Sequence, residues 1–289
     1  MARNRIHNGS LSYQIKKNLG DRLKIGESKH VAKALGRTKD GIYSWSTYNS
    51  YMKHCNYFAN YCKQEHACRT LAECRQYADE WLQKRIDSGL SAYTVKLEVS
   101  ALSKLYGCQS SDFIATPSRQ RSEIKRSRLD VKRDKNFSVA KNEPFVRFCK
   151  STGLRRSELR ALTGNKLERH GDNYFILVNK GTKGNRVRVS PVVGSPKDVQ
   201  NVVDLMTKAG NGRVFDKAYS DADIHSYRSD YAVRVYQQHA RDIKTLSRSE
   251  IYYCRGDLKG VKYDRAAMLK ASHALGHNRL SVIAGHYLR

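Results

Sequence analysis

The sequence has no long apolar run: nothing approaches the ~18 consecutive apolar residues that a membrane span needs, and mean hydropathy is −0.69. No apolar stretch follows the opening MARNRIHNGS, so a secretory leader is not expected. None of the seven cysteines falls in a CxxC pair, and their number is odd. That argues against a disulfide framework and against a zinc ribbon, and it fits reduced thiols in a cytosolic protein. There is no GxxxxGK[ST] loop and no convincing carboxylate cluster for two metals, so neither nucleotide-driven nor two-metal chemistry is indicated. Internal repeats, low-complexity tracts and an RNP pattern are also missing.

Acid is scarce beside base. The 27 Asp and Glu face 54 Lys and Arg, giving a formal net charge of +27. A solvated basic surface would account for a small lysine excess, but not for this one on 33.0 kDa. Such a chain attracts polyanions, with counterion release from phosphates as the driving force. Charge therefore points to nucleic acid without choosing DNA or RNA, and without deciding whether the protein is an enzyme. The 289 residues allow one large or two ordinary domains, and 39% hydrophobic content supplies cores of that size.

Along the chain, residues 1–40 are polar, basic and rich in Gly and Ser, and read as an N-terminal arm touching phosphate. Residues 41–110 read as a helical domain. Tyr48, Tyr51, Met52, Cys55, Phe58, Ala59 and Cys62 recur at intervals of three and four between Ser46 and Lys63. Thr70 to Glu73 has capping-box spacing and opens a second helix through Trp81 and Ile86. Ser91 caps a third, with Val95, Leu97, Val99, Leu102 and Leu105 as its apolar positions, and Gly107 stops it. Residues 111–136 form a basic linker, with Arg119, Arg121, Lys125, Arg126, Arg128, Lys132 and Arg133 as candidate phosphate contacts. Residues 137–289 read as an α+β module. It has a short helix from Leu154 to Leu162, strands at 174–178 and 186–190, and a lysine-bearing NKGTKGN turn between them. From Lys197 to the C-terminus the pattern is helical.

Taken singly, the chemical motifs are weak. His225 and Arg228 stand at i, i+3 on one helix face, a spacing common to solvated pairs. His273 and His277 have the i, i+4 spacing of a zinc pair but lack a further ligand, so no metal is expected. Their order is more telling. TGLRRSEL, a lysine-tipped hairpin, HSYR, then Leu275-Gly276-His277, then Tyr287 resembles the tyrosine recombinase (phage integrase) family over about 137–289. The preceding helical module and linker are similar to that family's core-binding domain and interdomain linker.

The resemblance implies a mainly α fold with a small β-sheet: a helical, SAM-like core-binding domain followed by an α+β catalytic domain. Arg155 and Arg228 match the two catalytic arginines. His225 matches the histidine of the HxxR box, His277 that of the LGH box, and Tyr287 the nucleophile. KGNRVRVSP aligns with the family's KGxKxRxVP, which makes Lys183 the catalytic lysine, with Lys180 the competitor if the turn shifts by three residues. Glu158 matches an acid that organises the site. The implied activity is site-specific recombination through a covalent 3′-phosphotyrosine and a Holliday junction. It needs no cofactor, since the phosphotyrosine conserves the bond energy.

The implied partners are double-stranded DNA attachment sites clamped between the two modules, three further copies of the chain, and an accessory protein that bends DNA or sets direction. The implied location is the cytoplasm, on the nucleoid. A resolvase or a topoisomerase-like strand transferase would use the same residues, and an inactive DNA-binding protein could share the fold. Three features depart from the family pattern. Residues 237–272 make the Arg228–His277 interval long, and its tyrosine-rich segment has no local explanation. The His277–Tyr287 gap is one residue longer than the common spacing, with His286 directly before the tyrosine. The sequence also ends at Arg289 without the further helix many relatives carry, leaving subunit exchange through such a helix unsupported.

Overall fold

A computed structural model describes residues 9–37, 41–120, 137–182 and 186–288. The chain divides into two compact units, Met1–Ile124 and Lys125–Arg289.

The first unit is helical: α1 Leu11–Gly20, α2 Lys29–Ala34, α3 Trp45–His66, α4 Leu71–Cys74, α5 Ala78–Asp87 and α6 Ala92–Tyr106. Local chemistry sets most of these boundaries. The Ser44 and Ser91 hydroxyls accept the Thr47 and Thr94 N–H groups and start α3 and α6. Thr70 and Glu73 form the expected capping box, but a 3-10 turn over Arg75–Tyr77 then separates α4 from α5, so the expected single helix is two. Phe58, Cys62, Trp81, Leu82, Val95, Leu102 and Leu105 meet in the core.

That core holds one acid, Glu98. It is fully buried and takes hydrogen bonds from Arg85 Nη2 (2.8 Å) and Arg85 Nε (3.2 Å), with His54 Nδ1 at 3.1 Å, so one carboxylate ties α3, α5 and α6 together.

The expectation of a bare arm over 1–40 is corrected. Ser10 caps α1, and Leu11, Ile15 and Leu19 line up four residues apart and bury into the same core. The stripe is only three residues wide in a polar background, which hides it from composition. The linker also begins later than expected, because Phe113 is buried in this core and the Ile114 N–H bonds Asp79 Oδ1 at 3.0 Å.

The second unit contains α7 Glu143–Thr152 and α8 Arg156–Ala161, then strands β1 Leu167–His170, β2 Asn173–Val178 and β3 Arg188–Pro191. Helices α9 Pro196–Ala209 and α10 Ile224–His239 follow, then strands β4 Ile251–Tyr253 and β5 Lys262–Asp264, and finally α11 Arg265–Ala274 and α12 Leu280–His286. The three-stranded sheet runs β1-β2-β3, antiparallel throughout. The expected hairpin is β2–β3, in the register Phe175↔Pro191 to Val178↔Arg188. Strand β1 was not anticipated, because LERH carries a single apolar residue and has three exposed positions. The expectation of continuous helix after Lys197 is also corrected: β4 and β5 form a second antiparallel hairpin between α10 and α11.

Two apolar clusters fill this unit. One joins α7, α8, β2 and α9; the other joins α10, α11, α12 and the β4–β5 hairpin. Tyr231 is fully buried on α10, and its hydroxyl donates to Pro191 O at 2.8 Å, fixing β3 to α10. Its ring lies against Gly153, the left-handed residue (φ 60°) that ends α7 and turns the chain toward α8. A Cβ at Gly153 would stand 2.2 Å from that ring.

Gly153→Ala is expected to destabilise this unit by about 3 kcal/mol, combining left-handed strain with overpacking against a fixed ring. Urea unfolding of the full chain checks it; an unchanged midpoint would refute the packing argument.

Candidate active site

The site is assembled around the carboxylate of Glu158, which α8 buries on its inward face (1% exposed). Oε1 accepts from Arg155 Nη1 at 2.8 Å and Arg188 Nη1 at 2.7 Å. Oε2 accepts from Arg188 Nη2 at 2.8 Å and from the Arg155 backbone N–H at 2.7 Å. Arg228 Nη1 stands 4.0 Å from Oε2. Burial alone would raise the Glu158 pKa; the Arg188 hydrogen bond and charge, with the Arg155 N–H and charge, outweigh it and bring the pKa down to about 2.

The same arginines cap the end of α11. Leu275 O accepts from Arg155 Nη2 (3.3 Å) and Arg228 Nη2 (3.2 Å), and Ala274 O accepts from Arg188 Nε (3.1 Å). Cations at the carbonyl end of a helix satisfy its orphan acceptors and its dipole together. Arg228 also donates from Nη1 to Gly153 O. Burial lowers the Arg228 pKa to about 10, and it remains charged at neutral pH. Three guanidiniums thus share one carboxylate, and the excess positive charge sits under a cleft of about 630 Å³ lined by Arg155, Arg156, Arg160, His225 and Arg228.

Beyond Leu275, Gly276 and His277 turn the chain toward α12, and His277 N donates back to Ser272 O at 2.8 Å. Tyr287 follows the last turn of α12 and is 4% exposed. His277 Nε2 lies 3.2 Å from its hydroxyl, the ring of His225 is centred 6.3 Å from its ring, and the Arg228 guanidinium is 5.9 Å from its ring centre. The structure therefore brings together Arg155, Glu158, His225, Arg228, His277 and Tyr287, from segments up to about 130 residues apart.

The lysines are another matter. Lys180 is exposed on the hairpin loop, and Lys183 lies outside the described residues. The loop between paired Val178 and Arg188 has 183 as its middle position. It leaves the sheet against α8: Gly181 O accepts from Ser157 Oγ at 2.7 Å, and a Cβ on Gly181 would stand 2.4 Å from Ser157 O. Of the linker cations, Arg119 is described, with its guanidinium 5.5 Å from the ring centre of Tyr93 on α6. Arg121, Lys125, Arg126, Arg128, Lys132 and Arg133 lie outside the described residues.

Arg188 is the residue that the sequence reading missed, although it was visible as the arginine of the KGxKxRxVP alignment. Its role needs a buried partner 30 positions earlier, which no spacing rule supplies. Among the described residues no group of three or more His, Cys, Asp or Glu side chains could hold a metal, and no helix is long and apolar enough to cross a membrane.

No family model matches the chain, and no curated protein matches it in sequence. Solved structures do match. XerH site-specific recombinase bound to its difH substrate, in a pre-cleavage complex, covers 96% of this chain and 92% of its own at 14% identity and a TM-score of 0.51. The Tn1549 transposon integrase in complex with circular intermediate DNA covers 97% and 96% at 13% identity and a TM-score of 0.48. The fold is that of a tyrosine recombinase: mostly helical, with a small sheet.

Glu158→Gln is expected to cost about 3–5 kcal/mol at pH 7, because it strands buried arginine charge. The arginines bring the native carboxyl down to about 2, against an ordinary value of ~4.3. Its contribution is thus complete above the ordinary value and is lost as pH falls toward 2. Urea unfolding from pH 7 to 2 should show a flatter acid limb for Glu158→Gln than for wild type.

Proposed function

We propose that this chain is a site-specific DNA recombinase that cuts and rejoins strands through a covalent bond to Tyr287. The observation that carries the proposal is the buried phenol set against two imidazoles and an arginine whose charge is already partly compensated. A phosphodiester gathers charge on its non-bridging oxygens as it is attacked. Planar, permanently charged Arg155 and Arg228 hold those oxygens, with His277 adding a hydrogen bond. Tyr287 Oη bonds to phosphorus while the P–O5′ bond breaks, leaving a 3′-phosphotyrosine and a 5′ hydroxyl. His225 takes the phenol proton, and Lys183 supplies a proton to the departing O5′.

Attack by the 5′ hydroxyl of a second duplex reverses the step and forms a Holliday junction; no cofactor enters the balance. The 3.2 Å contact favours a second assignment, in which His277 takes the phenol proton before turning to the phosphate. Four copies of the chain on two duplex sites complete the exchange. The cations at 119–133 contribute phosphate contacts to the net charge of +27 that draws the chain to DNA.

The test uses nicked duplexes carrying a site recovered by selecting randomised DNA on the full-length protein. In EDTA, wild type should form an adduct that survives denaturation, and Tyr287→Phe none. Arg228→Lys should slow adduct formation by about 10²–10³-fold. An adduct persisting in Tyr287→Phe moves the nucleophile elsewhere; tight binding with no adduct from wild type favours an inactive DNA-binding protein.

The lysines are separated on the same substrate. Lys183→Ala should slow cleavage by about 10²-fold or more, and Lys180→Ala should leave it nearly unchanged. A 5′-phosphorothiolate at the scissile position, whose sulfur leaves without a proton, should restore the slower variant.

A further inference from the structure

Helix α12 is short for its task. It has seven residues, no side-chain cap at Arg279, and it carries Tyr287 just past its last turn. Two turns of isolated helix are not stable in water, so the position of Tyr287 must come from tertiary contacts. Within the helix end itself, the amides of Tyr287 and Leu288 both donate to Ile283 O, at 3.0 and 3.1 Å. From outside the helix, Leu288 O accepts a hydrogen bond from the hydroxyl of Tyr263.

Tyr263 lies in β5, within the long Arg228–His277 interval that local sequence does not explain. The hairpin around it is firmly built. Asp264 is fully buried and takes Arg241 Nε at 2.8 Å and Nη2 at 3.0 Å, while Arg241 Nη1 reaches Glu250 at 2.7 Å. The Asp264 N–H donates to Tyr236 Oη of α10 at 3.0 Å, and the Tyr263 ring packs edge-on against Tyr236 with centroids 5.6 Å apart. Asp264 also caps α11, whose last carbonyls hold the three arginines. Tyr252, Cys254, Leu258 and Tyr263 share one apolar cluster with Ile283, Tyr287 and Leu288.

We propose that the β4–β5 hairpin is a strut that holds Tyr287 in its own chain's site, with Tyr263 as its positioning residue. The inference rests on the strand-transfer reading above and deepens it. Tyr263 touches no reacting atom; it fixes the carbonyl that follows the nucleophile, so the phenol stays beside His277 and Arg228 instead of leaving with a frayed helix end. A misplacement on the order of 1 Å at an attacking atom can cost about 10²-fold in rate.

Tyr263→Phe removes only the hydroxyl and keeps the ring against Tyr236. Two readouts on the full-length protein test the proposal. Without DNA, hydrogen exchange at the amides of Tyr287 and Leu288 should quicken by about 10-fold, as a lost end contact lets the last turn open. With the selected nicked duplex at saturating protein, single-turnover adduct formation should slow by about 10-fold or more, while half-saturating DNA concentration and melting temperature stay at wild-type values.

Unchanged exchange, or an unchanged adduct rate beside an active wild type, overturns the strut. So does a parallel fall in rate, DNA affinity and melting temperature, which marks a merely structural contact. If wild type forms no adduct, the strand-transfer reading itself fails and the positioning role falls with it, while the exchange data still report whether the contact exists.

Discussion

The second unit depends on one buried carboxylate. Arginines brought out of water repel one another and lose hydration, and they stay together only if a countercharge is buried among them. Glu158 supplies that charge from α8, and its four strong hydrogen bonds are divided between Arg155 and Arg188. Because the arginines also cap α11, the same acid fixes the end of the helix from which the His277 turn departs. Removing the carboxylate therefore disturbs α8, β3, α10 and α11 together.

The compensation is deliberately incomplete. Arg188, 7% exposed at its side chain, spends its fork on Glu158 and Ala274 and is committed to structure. Arg155, 21% exposed at its side chain, instead presents its cation to the cleft beside His225, and the buried Arg228 guanidinium lines the floor of that cleft. A phosphate entering there would meet donors already oriented. The N-terminal unit uses the same device within its own core. Its buried Glu98 holds Arg85 and His54.

Much of this was legible in the residues. Serine and threonine caps with apolar positions three and four apart located α3, α4 and α6, and the glycine-rich turn located the β2–β3 hairpin. The order of Arg155, His225, Arg228, His277 and Tyr287 marked the candidate site, and the structure gathers all five. The failures share a cause. Helix α1 rests on three apolar residues, β1 on one, and β4–β5 on tyrosines that local periodicity cannot distinguish from a helical face. Each is stabilised by partners remote in sequence, and local pattern carries no record of them.

The sequence by itself determined the charge, the types of reactive group and their order along the chain, because these are properties of residues and near neighbours. Tertiary structure decided which groups meet. It paired Glu158 with Arg188 as well as Arg155, placed His277 against the phenol, and ran the Tyr263 hydroxyl to the carbonyl after Tyr287. The Arg188, His277 and Tyr263 contacts close loops of 30, 10 and 25 residues. Their energies come from burial and from displacing water, which exist only once the distant segments have packed.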